Sequence, residues 1–222
     1  MGLIKKVSSY EPVHSVAEQP ITAQPHVNGL DVPGLRAHYS DLEYEERRKF
    51  LKTLNQSPES LEFLTELVQK ETSPLLHQAI FDSLMTQAQS GNESAVIPEV
   101  VKLLRTGDAM QRSAAVRFLS AFPEPTGELV PDLLQDESAD IRLYALDVIQ
   151  HLVHPDVPSW LKLVMENESH PNVITSAIDR ALEAGCTELQ GSLEQVAERF
   201  SSTPLITFAV ELAKSRLSGI SQ

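Results

Sequence analysis

The residues best suited to chemistry in this 222-residue chain are few and scattered. His151 and His154 stand three apart, with Asp147 four before His151, so one helix face can carry all three toward a metal ion. The plainer reading is a polar helix end with a solvated histidine, and the spacing alone favours it. Cys186 is the only cysteine, which excludes an internal disulfide and any multi-cysteine zinc site. It follows Gly185 at the end of one helical segment and precedes another at Thr187. A helix N-terminus there can lower a thiol pKa, but a lone cysteine between helices is more simply a small packing residue. There is no G-x-S-x-G and no phosphate-binding glycine loop; GCTELQG lacks both the preceding strand and the lysine. The residues therefore assign no catalytic group, no metal and no cofactor.

Charge is more informative. Eighteen Lys and Arg against 31 Asp and Glu leave a net charge of −13. Phosphate backbones need basic stripes, so nucleic acid and anionic membrane surfaces are not the expected partners. Glu124, Glu128, Asp132, Asp136, Glu137, Asp140 and Asp147 fall close together, opposed only by Arg142. Some of these carboxylates suit helix N-termini. The remainder form an acidic ridge that suits a partner with a basic patch. No run of eighteen apolar residues provides a membrane span, and a reducing cytoplasm is the expected compartment.

These groups must be carried by helices. From about residue 40, apolar residues recur at spacings of three and four, as in Ile141, Ala145, Val148 and Leu152. The pattern predicts helices over 41–55, 58–70, 73–88, 93–106, 108–121, 126–135, 138–152, 156–166, 171–184, 187–200 and 203–217. Residues 1–37 hold Pro12, Pro20, Pro25 and Pro33 and lack helical spacing, which predicts an extended or disordered tail before a helical domain at 38–222.

The helices repeat. Ala79, Ala115, Ala145, Ala177 and Ala209 fall at one equivalent position in alternate helices, 30 to 36 residues apart. A short side chain there lets two helix axes approach closely. Between them, the segments around Pro98, Pro131 and Pro158 resemble one another, with proline where its missing N–H costs little. Lys49 occupies the alanine position in a first, degenerate pair. Each pair leaves an apolar face that only the next pair can cover.

With Asp140, Ile141, Arg142 and Ala145, and the second helices around Pro98, Pro131 and Pro158, the sequence resembles the HEAT-repeat family, in its short bacterial form, over roughly residues 73–217. Two other helical repeats fit less well. SPLLHQA at 73–79 is close to the ankyrin signature but occurs once, and an aromatic content of 5% is too low for tetratricopeptide repeats. The resemblance implies an all-α solenoid of about five HEAT-like helix pairs. It implies a non-enzymatic protein-binding scaffold or adaptor, in a setting such as chemotaxis-type or two-component signalling. It also implies that second helices line the binding face. Aligned on those helices, Glu99, Asp132 and Ser159 stand at one level, and Lys102, Gln135, Lys162 and Glu194 at the next. With Asp136 they are the expected partner-binding residues. An accessory subunit of an enzyme or maturation factor, like the bilin-lyase HEAT proteins, is the alternative. The His-Glu dyads that hold iron in HEAT-like hydroxylases do not occur, and a charge of −13 with a single Trp fits poorly with a DNA glycosylase.

Overall fold

Helix starts follow from local chemistry. Ser57 and Ser73 each place a side-chain oxygen on a backbone N–H three residues on, ahead of Pro58 and Pro74 in the first turns of their helices. Asp108 and Gln111 form a reciprocal capping box. Helix ends are as specific. Gly185, at φ +68°, follows α11, and the N–H groups of Cys186 and Gly185 return to the carbonyls of Ala181 and Leu182. That double return is a Schellman motif, and it needs the left-handed residue that glycine supplies without strain.

The computed structural model describes residues 29–220. Among them are thirteen α-helices and no β-strand. They run α1 (Val32–Asp41), α2 (Tyr44–Leu51), α3 (Pro58–Lys70), α4 (Pro74–Gln87), α5 (Glu93–Thr106), α6 (Ala109–Ser120), α7 (Pro123–Gly127), α8 (Val130–Leu134), α9 (Ala139–His151), α10 (Val157–Asn167), α11 (Pro171–Glu183), α12 (Gln190–Arg199) and α13 (Pro204–Ile220).

The helices stack in two rows. In one row α2, α4, α6, α9, α11 and α13 each pack on the next; in the other, α1, α3, α5, α7–α8, α10 and α12 do the same. The chain alternates between rows, and one continuous apolar core from Val32 to Leu217 lies between them. This is an all-α solenoid. The repeated alanines lie in the first row, called here the alanine row. Ala115, Ala145 and Ala177 are fully buried, whereas Ala209 on the last helix is only partly buried and Lys49 on the first is exposed. The gradient has a simple cause: helices at each end of the row have one neighbour in place of two.

Several expectations differ from the structure. The boundary at 37/38 falls inside α1, which buries Val32, Leu35 and Tyr39. Asp31 caps α1 and Pro33 sits in its first turn, so that proline starts a helix and does not mark a tail. The earlier tail, with Pro12, Pro20 and Pro25, lies outside the described residues. With α1 included, the two rows form six pairs, close to the five or so expected. Tight turns join each opposite-row helix to the following alanine-row helix, so the compact pair is the reverse of the one the repeat suggested.

The helix expected over 126–135 is broken into α7 and α8. The break falls just ahead of Pro131, which then sits in the first turn of α8, where its missing N–H costs no hydrogen bond. Pro98 stands well inside α5 and not in its first turn, because α4 continues through a wide π-type turn and a kink at Gly91 (φ +94°) into α5.

Candidate functional site

The expected binding residues lie on successive helices of the opposite row: Glu99 and Lys102 on α5, Asp132 on α8, Ser159 and Lys162 on α10, and Glu194 on α12. Gln135 follows α8 directly. Except for half-buried Glu99 and Asp136, all are exposed. Most are already paired within the chain. Lys102 reaches Glu99 at 2.7 Å and Lys162 reaches Glu166 at 3.7 Å, both one turn along the same helix. Glu194 accepts from Lys214 of α13 at 2.7 Å, which draws its carboxyl below the usual range. The Gln135 amide donates to the Pro131 carbonyl at 3.1 Å. Asp132 and Ser159 make no side-chain hydrogen bond among the described residues. Exposed pairs such as these contribute little to stability, so a partner can exchange them at small cost.

Asp136 has a different role. Its carboxylate pairs with Arg105 and accepts the Ser138 N–H at 2.8 Å, and these bonds, Arg105 first, hold its pKa low against the burial that would raise it. It secures the turn from α8 into α9.

Two hollows open on this row. The first, about 330 Å³, lies between α3 and α5 and is edged by Gln56, Glu62, Thr65, Asn92 and Glu99. It presents two carboxylates and no cation of its own, and Lys102 reaches only the Glu99 side. The second, about 340 Å³, lies beside α8 and α10, where Arg142 and Glu168 satisfy each other.

That pair is the feature the residue types did not reveal. The Arg142 guanidinium grips Glu168 with two bonds of 2.7 and 3.1 Å and also donates to the Asp136 carbonyl. Glu168 accepts the Ser169 and His170 N–H groups as well. Burial raises the Glu168 pKa, but the Arg142 and backbone bonds outweigh it and hold the carboxyl below its usual range. Glu71 accepts the Thr72 and Ser73 N–H groups in the same way, together with the Tyr39 hydroxyl at 3.0 Å. Burial and that carboxylate push the Tyr39 phenol upward. Glu71, Asp136 and Glu168 each stand three residues before a helix start. This is the signal that locates them, visible only when several repeats are compared.

The candidate reactive residues are placed in structural settings. Cys186 is buried in the Schellman turn, and burial, with help from Glu188, pushes its thiol up and away from the reactive thiolate. The His154 ring stacks on Trp160 at 4.6 Å, and its Nδ1 accepts the Asp156 N–H at 3.1 Å. His151 is exposed. Among the described residues no three His, Cys, Asp or Glu side chains gather as a metal site.

No protein-family model matches the chain, and no curated relative matches it. Among solved structures, it is similar to a designed armadillo repeat protein in complex with the peptide (KR)4, at 16% identity over 85% of this chain and 100% of that one, with a TM-score of 0.40. It is also similar to an engineered protein at 14% identity, over 85% of this chain and 96% of that one, with a TM-score of 0.36. Likeness at this level carries nothing about what this chain binds. No described helix is long and apolar enough to cross a membrane.

Proposed function

We propose that this chain is a non-enzymatic scaffold or adaptor of the HEAT-repeat type. It binds a basic segment of another protein along the opposite-row face. The observation that carries this reading is the acid-edged hollow between α3 and α5, with Glu62 and Glu99, together with the exposed, unpaired carboxylate of Asp132 on α8 of the same row. A polar, charged face of this kind selects partners by charge and steers their approach. Asp136 is not part of the proposed contact, because its carboxylate holds the fold. The resemblance to short bacterial HEAT repeats supports the family assignment. It is also the sole support for the setting we assign, chemotaxis-type or two-component signalling in the cytoplasm.

The test is association of a lysine- and arginine-rich peptide followed by stopped-flow fluorescence at two ionic strengths. Asp132→Lys and Glu62→Lys should each slow association, by about three- to tenfold at low salt, and flatten its salt dependence. Both variants change exposed positions, so their unfolding midpoints should match the parent. Association rates unchanged in both variants would reject this face.

A further inference from the structure

Two guanidiniums in one hollow of the alanine row have no carboxylate partner. Arg112 and Arg117 of α6 line a groove of about 450 Å³ against α9, together with Ser113, Tyr144, Asp147 and His151. Most other arginines in this acidic chain are committed. Arg36, Arg105, Arg142 and Arg180 hold carboxylates, and Arg47 and Arg199 hold backbone carbonyls. Arg112 instead lies over the Tyr144 ring at 5.4 Å and donates one Nη to its hydroxyl at 3.0 Å. Its Nε is buried without an acceptor and its other Nη makes no bond. Arg117 is exposed and unpaired among the described residues.

Asp147, the sole carboxylate lining the groove, is directed at Arg180 at 3.8 Å, and burial raises its pKa against the pull of Arg180 and His151. The groove is therefore a positive site on a negative molecule. Arg112 is held in place before any ligand arrives, by its contacts with the Tyr144 ring and hydroxyl. Gln150 also lines a second hollow of about 430 Å³, edged by Val153, Pro155, Pro158, Arg180 and Glu183. Val153 is 88% exposed, an isolated apolar side chain beside that hollow.

We propose that this groove binds an acidic segment of a partner protein. Side-chain carboxylates would bond to Arg112 and Arg117, and a neighbouring apolar residue would seat against Val153 and Pro155. Arginine forks suit carboxylates bidentately. Arg112 and Arg117 stand five residues apart on α6, more than one helical turn, a spacing that two carboxylates on one segment match better than a single compact phosphate. Two hollows flanking Gln150 favour a peptide, which can reach both, over a small ion. The site is separate from the opposite-row face and attracts the opposite charge, so the molecule can bridge two partners that would not compete.

The probe is a fluorescein-labelled peptide of alternating glutamate and leucine, titrated with the full chain and read by anisotropy. Saturable binding that weakens with salt is expected. Arg117→Glu should reduce affinity about tenfold or more, and Arg117→Lys should reduce it less, since it keeps charge but loses the fork. Arg216→Glu, an equal charge change at an exposed unpaired arginine of α13, should leave binding near the parent level. Binding of a basic peptide should be unaffected by Arg117→Glu, which separates this site from the opposite-row face. Equal losses in Arg117→Glu and Arg216→Glu would overturn the proposal, as would displacement of the peptide by an equal concentration of inorganic phosphate.

Discussion

A buried carboxylate is costly unless its oxygens are satisfied, and Glu168 shows how the fold meets that cost. Its side chain is 5% exposed, yet it receives two guanidinium bonds and two backbone N–H groups. Replacing it with glutamine keeps the shape but leaves Arg142 without its counter-charge, which should cost about 3 kcal/mol. The sign of the pH effect follows from the direction of its shift. The folded-state pKa is depressed, so the stabilisation is present above the ordinary glutamate pKa and is lost as pH falls through the lower folded value. Urea unfolding of Glu168→Gln and parent at neutral pH and at about pH 3 should therefore show the difference narrowing in acid. A gap that stays constant would mean the pair contributes through shape alone. Arg112 and Arg142 each stand three residues before a repeat alanine, Ala115 and Ala145, but their partners differ: Tyr144 for one and Glu168 for the other. Repeat spacing locates a residue on a helix. It does not state which neighbour the packing brings to it, so the Arg142–Glu168 pairing and the arginine groove were beyond its reach.

At the scale of the element, helices are set by short-range signals that the sequence carries openly. Ser57, Ser73, Asp108 and the prolines beside them mark starts that the structure keeps within about two residues. Two elements were hidden, each for a physical reason. The signals of α1 are spread over Asp31, Pro33, Leu35 and Tyr39, and its burial depends on α3, far along the chain. In α7 and α8, the helical pattern around Pro131 is correct, but the helix breaks just ahead of it and restarts with Pro131 in its first turn. The alanine positions give the sharpest test of helix packing. Ala145 has no exposed surface, so Ala145→Leu should overpack the contacts of α9 and destabilise by about 1–3 kcal/mol. The same change at Ala209, on a terminal helix with room on one side, should shift stability by less than about 0.5 kcal/mol. Denaturant midpoints of the two variants decide the matter, and equal losses would show that the two alanines do not share the packing described.

For the whole molecule, the stacking of rows makes stability depend on neighbours. Each inner helix is covered on both sides along its row, while α2 and α13 are covered on one. The terminal helix shows what is missing. Ile206, Val210, Ala213 and Leu217 are buried toward α11 and α12, but Leu205 and Phe208 are 68% and 63% exposed. A further helix in the row would cover that face. In a quasi-one-dimensional array, the free energy of opening falls toward the ends, because terminal units lose only one interface when they detach. Hydrogen exchange on the full chain should therefore give a gradient. Amides of α6, α9 and α11 should exchange slowest and those of α2 and α13 should exchange faster, although all are hydrogen-bonded within helices. Arg47 moderates the gradient at one end by tying the last carbonyls of α1 to α2, and the Tyr39, Phe50 and Phe63 rings pack together beneath it. No equivalent ring cluster backs α13 among the described residues, so the α13 end should open first. Uniform protection from α2 to α13 would mean that the rows unfold as one unit and that neighbour-by-neighbour stacking does not set the order of opening.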